Sequence, residues 1–246
     1  MQLTAKGQLF QVTATNLVRQ LADCKAHLQS LSAQGPQVID FAISHTLSLS
    51  FFPHFLQSSK DDLGNTQYRQ MVANVDDSIQ ALKNGICDFL LAFEDPSLAS
   101  NLFQRIDLGS EQLIPVCRAG DDGLPLFDLN QPTTEAIPYL GYPKKIYLGR
   151  SVNAILNNSP HRLNLQSTFE SPLADSLKVM ALQGMGVAWV PSFSVQEELK
   201  QGFLAICGDQ RWCGPLNICL YRCNRELSPR ANAFWHSLTQ RFGASL

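Results

Sequence analysis

The first thirty residues carry a narrow hydrophobic seam on an otherwise polar segment. Apolar or small side chains recur at alternating steps of four and three residues, at Phe10, Ala14, Leu17, Leu21, Cys24, Leu28 and Leu31. This heptad spacing predicts a helix over Leu3–Leu31. An amphipathic helix packed on its own domain would show a similar pattern, but so narrow a seam favours pairing with a second chain. Gly35 and Pro36 should end the helix and mark a boundary.

Beyond this boundary, short apolar runs alternate with helical patterns. Three strands are predicted, at Val38–Ile43, Tyr68–Val75 and Ile86–Phe93, and the first and third of them are expected to be buried. The first helix between them begins at Leu47 and should be kinked or restarted at Pro53. The second helix, Asp77–Asn84, could be capped by Asp76 and ended by Gly85. This order predicts a parallel sheet with right-handed crossovers.

A second series of strands and helices follows the same logic. Its predicted strands are Leu113–Cys117, Leu163–Phe169, Val187–Val190, Phe203–Cys207 and Leu216–Tyr221. Its predicted helices are Leu173–Gln183, Val195–Gln201 and Pro229–Phe242, the last with Ser228 as its cap. Residues 119–138 are predicted as turns, and 139–150 as a polar and aromatic loop. The chain is therefore predicted to be an α/β protein.

A polar corner, Ser44-His45-Thr46, separates the first strand from the first helix. Ser44 or Thr46 could cap the helix, which would leave free N–H groups at its positive end. In open α/β sheets, ligands bind at the carboxyl ends of strands, so this corner predicts a site for an anion or polar ligand. Helix capping alone is the alternative. His45 is expected to donate a hydrogen bond rather than carry charge.

Composition narrows the classes of protein that remain. The 246 residues are 45% hydrophobic and 16% charged, enough for a large core. A net charge of −2 and an isoelectric point near 6.2 argue against DNA binding by these residues alone. No apolar run approaches the ~18–20 residues that span a membrane. Because no export signal pattern begins the chain, we expect a cytoplasmic protein.

The cysteines indicate reduced thiols. There are seven, an odd number, and no Cys-x-x-Cys pair occurs. Cys213, Cys219 and Cys223 lie close in sequence, but their spacing does not match a zinc site. We therefore expect no metal and no cofactor.

Several segments together resemble a known family in their order and spacing. They are the start of the chain at Leu3–Gly7, the heptad helix, Leu82–Asp88, Gly184–Pro191, Leu199–Leu204 and Arg225–Trp235. The family is that of the LysR-type transcriptional regulators, and the likeness covers essentially the whole chain. A further set of segments resembles its hypochlorite-responsive branch: Ser44–Leu49, Gln112–Cys117, Leu148–Arg150 and Ala188–Pro191.

The resemblance implies two Rossmann-like lobes of the type 2 periplasmic-binding-protein fold, preceded by a long linker helix. Residues 1–34 would be the end of a winged-helix wing and the dimerising linker. Residues 36–112 with 214–246 would form lobe I, and 113–213 lobe II. The family's DNA-reading helices would precede Leu3 and are absent from this sequence. DNA binding is therefore expected only through that missing head, and a homodimer or homotetramer is expected.

The resemblance also places an effector, a small anion or an oxidant such as hypochlorite, between the lobes. The candidate binding residues, all at strand ends or in adjoining loops, are Ser44, His45, Thr46, Phe93, Glu94, Tyr147, Gly149, Arg150, Thr168, Phe169 and Glu170. Arg150 would be a fork for an oxyanion, or else part of a surface ion pair. The candidate sulfur atoms for oxidation are those of Met180, Met185, Cys117 and Cys24, although the two methionines could be ordinary core residues.

Two other classes of protein compete with a regulator. A two-lobed solute-binding protein would bind a small polar ligand as a monomer, but the heptad helix and the odd cysteine count argue against it. A small α/β enzyme would need a reactive pair of side chains in the cleft. The neighbours Ser44 and His45 point to different faces of an extended segment, so they do not make such a pair. We therefore expect no enzymatic activity.

Overall fold

The structure is a computed structural model that describes residues 37–59, 66–99 and 101–243, with single positions between Thr4 and Leu21. Its described strands form one sheet in the order β2-β1-β3-β9-β4-β7-β5-β6, with β8 paired to the end of β4. The strands are β1 (Gln37–Ile43), β2 (Thr66–Val72), β3 (Phe89–Phe93), β4 (Phe103–Arg118), β5 (Ile137–Gly141), β6 (Leu165–Glu170), β7 (Val187–Pro191), β8 (Leu204–Ile206) and β9 (Gly214–Cys223).

Helices cover both halves of this sheet. They are α1 (His45–Ser50), α2 (Phe52–Ser58), α3 (Val75–Lys83), α4 (Tyr147–Asn157), α5 (Ala174–Leu182), α6 (Gln196–Lys200) and α7 (Pro229–Phe242). Single 3₁₀ turns occur at Pro96–Leu98, Ser192–Ser194 and Gln210–Trp212. Lobe I comprises β1–β3, α1–α3 and α7, and lobe II comprises β5–β8 and α4–α6.

Lobe I is a parallel unit built around phenylalanine rings. Strand β1 pairs in parallel with β2 and β3. Every residue of β3 is buried, as expected for a strand covered on both faces. The ring of Phe41 lies 5.0 Å from that of Phe52, 5.5 Å from Phe89 and 5.7 Å from Phe234 of α7. The last helix of the chain thus closes the core of the first lobe.

Lobe II repeats the parallel arrangement with a different core. Strand β5 pairs in parallel with β6 and β7. Trp189 and Trp212 are fully buried, and the Trp189 Nε1 donates a 2.8 Å hydrogen bond to the Trp212 carbonyl. This bond joins β7 to the turn before β9, so it fixes the return of the chain toward lobe I.

Two long antiparallel strands connect the lobes. Strand β4 has 16 residues, and its ladder with β9 runs from the pair Phe103–Cys223 to the pair Leu113–Gly214. A bulge interrupts the register between Asp107 and Gly109. The lobe boundaries expected at 112/113 and 213/214 stay a prediction, because β4 and the β4–β9 ladder run up to and through those positions.

Most predicted elements are present, with shifted ends. Helix α7 begins after Ser228, whose Oγ accepts from the Ala231 N–H, as predicted. The helix interrupted near Pro53 consists of two helices that meet at Phe51. The strand predicted from Leu113 is the end of a much longer strand, β4. No pattern in the sequence indicates its first ten residues, because they are largely polar or half-exposed and contain no apolar run.

The predictions of a loop at residues 139–150 and of Asp76 as a helix cap are wrong. Residues 139–150 are not a loop, since they contain the end of β5 and the first turn of α4. The buried positions Leu148, Val152 and Ile155 make the helical face, and most of it lies beyond residue 150. The cap of α3 is Asn74 rather than Asp76, because the Asn74 Oδ1 accepts a 2.8 Å hydrogen bond from the Asp77 N–H.

The N-terminal segment is described at scattered positions, and those between residues 7 and 21 are helical. The exposed fractions of its large apolar side chains are 74% for Phe10, 56% for Leu17, 67% for Val18 and 71% for Leu21. The rest of the predicted seam (Cys24, Leu28 and Leu31) and the stop at Gly35 and Pro36 lie outside the described residues. In the described part of the chain, no helix is long and apolar enough to cross a bilayer.

Candidate functional site

The corner between β1 and α1 lies at the carboxyl end of the lobe I sheet. Ser44 occupies the cap position of α1, and its N–H donates to the Leu91 carbonyl of β3. The predicted side-chain cap is wrong for Ser44, because its hydroxyl makes no hydrogen bond to the helix. The Ser44 Oγ is instead buried without a hydrogen-bond partner. A buried hydroxyl without a hydrogen-bond partner lowers the stability of the fold by about 1–3 kcal/mol. Its position therefore indicates a place where a bound group would supply the missing hydrogen bond.

His45 faces lobe II. Its Nδ1 lies 3.8 Å from the Oδ2 of Asp175, which is in the first turn of α5. Both atoms are buried, and neither has a hydrogen-bond partner among the described residues. Asp175 was not a predicted site residue, although a carboxylate in a helix's first turn follows ordinary helix electrostatics. The two lobes therefore bring a potential donor and an acceptor together without bonding them.

Tyr142 adds a third polar group from lobe II. It directly follows β5 and is 4% exposed, and its hydroxyl is buried without a partner. Burial, with smaller contributions from Tyr139 and the carboxylate of Asp175, raises the pKa of Tyr142 well above its usual value. The phenol therefore stays protonated and can donate. The sequence signal that could have found Tyr142 is the same one that marked Ser44, a polar side chain just after a buried strand.

Contacts between the lobes close the cleft beside this cluster. The Arg150 Nη2 donates to the Asp95 Oδ2 at 2.6 Å, and the ring of Phe93 stacks on that of Tyr147 with centroids 5.4 Å apart. Arg150 also donates to the Lys145 carbonyl. The predicted oxyanion fork is thus occupied by a protein carboxylate.

Glu94 faces the connecting strands rather than the cluster. Its carboxylate accepts from the Asn217 Nδ2 at 2.8 Å and is paired with Arg105. The bond from Asn217, and then that from Arg105, lowers the pKa of Glu94 below its usual value. Glu94 therefore ties β3 to β9 and β4.

The other predicted residues of lobe II have packing or edge positions. A Cβ at Gly149 would lie 2.2 Å from the Pro143 carbonyl oxygen, so glycine lets α4 pack against the preceding loop. Thr168 and Glu170 are exposed on the edge strand β6, and Phe169 packs against the core. In lobe I, Thr46 is buried in α1. Among the described residues, no hydrogen bond or ion pair joins Thr168 or Glu170 to lobe I.

The sulfur candidates differ in exposure. Met185 is 45% exposed, and its N–H donates to the carbonyl of Met180, which is half-buried against the core. Cys117 is buried in β4. Cys24 lies outside the described residues. Among the candidates that the structure describes, Met185 is therefore the one that solvent reaches directly.

A two-lobed α/β unit with a polar cleft at its strand ends defines the class of ligand-responsive two-lobed domains. The family model described as "LysR substrate binding domain" matches residues 33–243, and the chain belongs to the LysR family. It corresponds to the effector-binding part of a LysR-type transcriptional regulator. This family consists of regulators rather than enzymes, and the solute-binding alternative gains no support.

Three similar proteins refine the comparison. The "HTH domain-truncated transcriptional regulator QseD" of Escherichia coli O157:H7 is 31% identical over 240 residues, which are 98% of this chain and 96% of QseD. Full-length HypT of Salmonella typhimurium, titled a hypochlorite-specific LysR-type regulator, has a TM-score of 0.74 at 28% identity, covering 98% of this chain and 80% of HypT. The bromide-bound HypT regulatory domain has a TM-score of 0.73 at 28% identity, covering 85% and 97%.

Proposed function

We propose that this chain senses a small anion or hypohalous oxidant that binds between its lobes at Ser44, His45, Tyr142 and Asp175. One observation carries the proposal: each of these residues buries a polar atom that has no hydrogen-bond partner, and His45 and Asp175 face each other across the cleft. Buried polar atoms are almost always bonded to protein, water or ligand. An anion that accepts hydrogen bonds from Ser44, His45 and Tyr142 recovers the free energy that these donors cost, whereas the Asp175 carboxylate, itself an acceptor, orients His45.

The hydrogen-bonding groups of this cluster favour a ligand of very few atoms. The hydroxyls of Ser44 and Tyr142 are donors, and the imidazole N–H of His45 would be a third. Because the lobes already touch at Arg150–Asp95, a larger ligand would have to separate them. A halide or hypochlorite fits this size. HypT, which is named for hypochlorite and has a bromide-bound form, supports this choice.

The output of binding is a change in lobe geometry. A ligand shifts a conformational equilibrium only by its differential affinity for the two states. An anion that bonds to groups on both lobes favours the closed state, in which the Arg150–Asp95 pair is formed. Coupling of this kind is typically about 1–3 kcal/mol. Arg150, Phe93 and Tyr147 would then act by holding the cleft closed.

The test measures melting temperature against bromide, with a sulfate series at matched ionic strength. Bromide is expected to raise the melting temperature of the wild-type chain more than sulfate does. This difference should disappear in Tyr142→Phe and in Ser44→Ala. The matched control is Tyr68→Phe, which removes a tyrosine hydroxyl on β2, outside the proposed cluster. An equal bromide response in Tyr142→Phe and Tyr68→Phe would contradict the proposal.

We also propose that the N-terminal helical segment pairs two copies of the chain in the cytoplasm, as the basis of a dimer or tetramer. Exposed Phe10, Leu17 and Leu21 support this, since such side chains gain by burial against a partner. DNA contact would come through a winged helix-turn-helix. Leu17→Glu should lower the mass measured by light scattering, and Thr15→Glu should not. An unchanged mass in Leu17→Glu would exclude this pairing.

A further inference from the structure

Two buried thiols meet in lobe II, away from the cleft cluster. Cys117 lies near the end of β4 and Cys207 follows β8, and each is at most 1% exposed. The strands pair with Cys117 opposite Ala205, and the Cys207 N–H donates to the Pro115 carbonyl. Cys117 and Cys207 are therefore diagonal neighbours on one face of the sheet. The Cys117 thiol can donate to the Arg118 carbonyl at 3.3 Å, and the Cys207 thiol lies 3.9 Å from the Ala205 carbonyl on the same side of this ladder. Each of the two side chains also shifts the pKa of the other, as expected for neighbouring thiols.

The surroundings of Cys117 stabilise a thiolate. The hydrogen bond from the Cys207 thiol, followed by bonds from the N–H groups of Phe127 and Leu126, lowers the pKa of Cys117 below its usual value against the effect of burial. By contrast, burial raises the pKa of Cys219 to about 12. Cys117 thus differs from Cys219 in the direction of its pKa shift and has a second thiol as its neighbour, so oxidation of Cys117 requires local opening that admits the oxidant.

We propose that Cys117 and Cys207 are a redox site that forms a reversible disulfide when the protein meets a two-electron oxidant such as hypochlorous acid. This inference goes beyond the cleft proposal and does not depend on it. It needs neither a bound anion nor oxidation of a methionine. It requires only that a small neutral oxidant reach the Cys117 sulfur.

The reaction balances in two steps. The Cys117 thiolate attacks the chlorine of hypochlorous acid, so that an S–Cl bond forms, the Cl–O bond breaks and hydroxide leaves. The Cys207 sulfur then attacks the Cys117 sulfur, the S–S bond forms, and chloride leaves. The proton from Cys207 converts the hydroxide to water. Two electrons pass from the two sulfurs to chlorine, and a thiol reductant reverses the change.

A short, partly exposed segment lies next to the two thiols. Residues 124–129 pass over this end of the sheet, where the Leu126 N–H donates to the Arg118 carbonyl and the Leu129 N–H to the Cys207 carbonyl. Leu124 and Leu126 in this segment are 63% and 52% exposed. Opening of so exposed a segment requires less free energy than opening of the core, so a small oxidant has a route to the sulfurs.

The disulfide would change the shape of lobe II. Diagonal neighbours in a sheet have Cα atoms about 7–8 Å apart. A disulfide usually needs about 4.4–6.8 Å between Cα atoms, so its formation would draw β8 toward β4. Through the bond between Cys207 and Leu129, this movement would also shift the segment that leads into β5. The oxidised state would therefore differ from the reduced one in the position of a sheet edge.

Peptide mapping tests the proposal directly. The reduced chain is treated with one equivalent of hypochlorous acid, quenched, alkylated, and digested with trypsin without reduction. Cleavage after Arg105, Arg118, Lys200 and Arg211 places Cys117 alone in peptide 106–118 and Cys207 alone in peptide 201–211. The expected result is a cross-linked species of these two peptides, lighter than their sum by two hydrogens. It should be abolished by dithiothreitol.

Controls separate this site from the others. Cys117→Ser and Cys207→Ser should each abolish the cross-link, and Cys219→Ser should leave it unchanged. Tyr142→Phe, which removes a cleft donor, should also leave it unchanged, so failure of either proposal is visible without the other. Full alkylation of both cysteines after oxidant would overturn the inference. Oxidation of Cys117 without formation of the cross-link would also overturn the inference. The same holds if Met185 is oxidised before any cross-link forms.

Discussion

The cores of lobe I and lobe II are filled by different chemistries. Lobe I packs phenyl rings, including Phe41, Phe89 and Phe234, which carry no polar atoms. Lobe II packs two tryptophans joined by a hydrogen bond, a pair of thiols, and a tyrosine whose hydroxyl has no partner. Phenyl rings stabilise by area and contact alone. Thiols, by contrast, can be oxidised, and a hydroxyl without a partner can form a hydrogen bond to a ligand.

This difference indicates that the two lobes have different roles. The described contact of the N-terminal helix with the sheet domain is to lobe I, where the Gln20 side chain lies 3.4 Å from the Asn84 carbonyl. Lobe II has Tyr142, Asp175 and the thiol pair, which can answer a small ligand or an oxidant. Lobe I, which contributes Ser44 and His45 to the cleft, lies next to the N-terminal helix, and the thiol pair lies in lobe II, farther from that helix. A ligand or oxidant that moves lobe II relative to lobe I would therefore transmit a signal as relative movement. Four predictions test that contrast.

The largest expected effect is on the two cores themselves. Phe234→Ala in lobe I and Trp189→Ala in lobe II should each lower the free energy of unfolding by about 3–5 kcal/mol. Because one β4–β9 ladder joins the lobes, both variants should lose structure in a single transition when urea unfolding is followed by circular dichroism. Phe203→Ala, at a 58% exposed position, is the control. Two separate transitions, with one displaced in each variant, would show that the lobes are independent.

A smaller loss is expected from Gly149→Ala. The new Cβ would lie 2.2 Å from the Pro143 carbonyl oxygen, so α4 must move away from the loop. Overpacking of this kind costs about 1–3 kcal/mol. The melting temperature should fall, and bromide binding should weaken if α4 positions the cleft. Ser151→Ala, on the same helix, controls for the substitution. A variant as stable as wild type would mean that the loop yields without cost.

The ion pair between the lobes should contribute about 1 kcal/mol or less, because Arg150 is half-exposed and screened by water. A double-mutant cycle of Arg150→Ala and Asp95→Ala isolates this interaction. Asp95 is the more buried partner, so Asp95→Ala leaves Arg150 in solvent, whereas Arg150→Ala removes the cation that faces a buried carboxylate. Arg150→Ala should therefore destabilise more. A coupling energy of zero in the cycle would mean that this pair does not hold the lobes together.

The smallest effect concerns acid stability at the connecting strands. The pKa of Glu94 is lowered in the folded chain by Asn217 and Arg105, so its contribution is present above the unfolded value of about 4.3. It is lost as pH falls through the lower folded value. Since more than a third of the Glu94 side chain is exposed to water, which screens the interaction, the contribution is a fraction of about 1 kcal/mol. Glu94→Gln should flatten the fall in melting temperature between about pH 5 and pH 3 by comparison with Glu170→Gln. Identical pH profiles for both variants would mean that the bonds of Glu94 to Asn217 and Arg105 do not stabilise the connecting strands.

Local pattern was sufficient for much of the fold and for part of the site. Ser228 and Pro229 predicted the start of α7, because capping is a contact between near neighbours. The run of apolar residues in Ile86–Phe93 predicted a doubly covered strand, although only Phe89–Phe93 is extended. The corner at Ser44 was found because a polar turn after a buried strand is a local signal. Tyr142 was missed because strand β5 was not recognised within residues 139–150, so nothing marked Tyr142 as the residue that follows a buried strand.

The sequence by itself determined the alternation of strands and helices, the family, and the corner at the carboxyl end of β1. Periodicity reports which side of an element is buried, and that is a property of neighbouring residues. The tertiary structure alone decided that His45 meets Asp175, that Arg150 reaches Asp95 across 55 positions, and that Cys117 and Cys207 are neighbours across the β4–β8 ladder. These meetings depend on the strand order of the sheet and on closure of the lobes. Both arise from packing among distant elements, which no local pattern encodes.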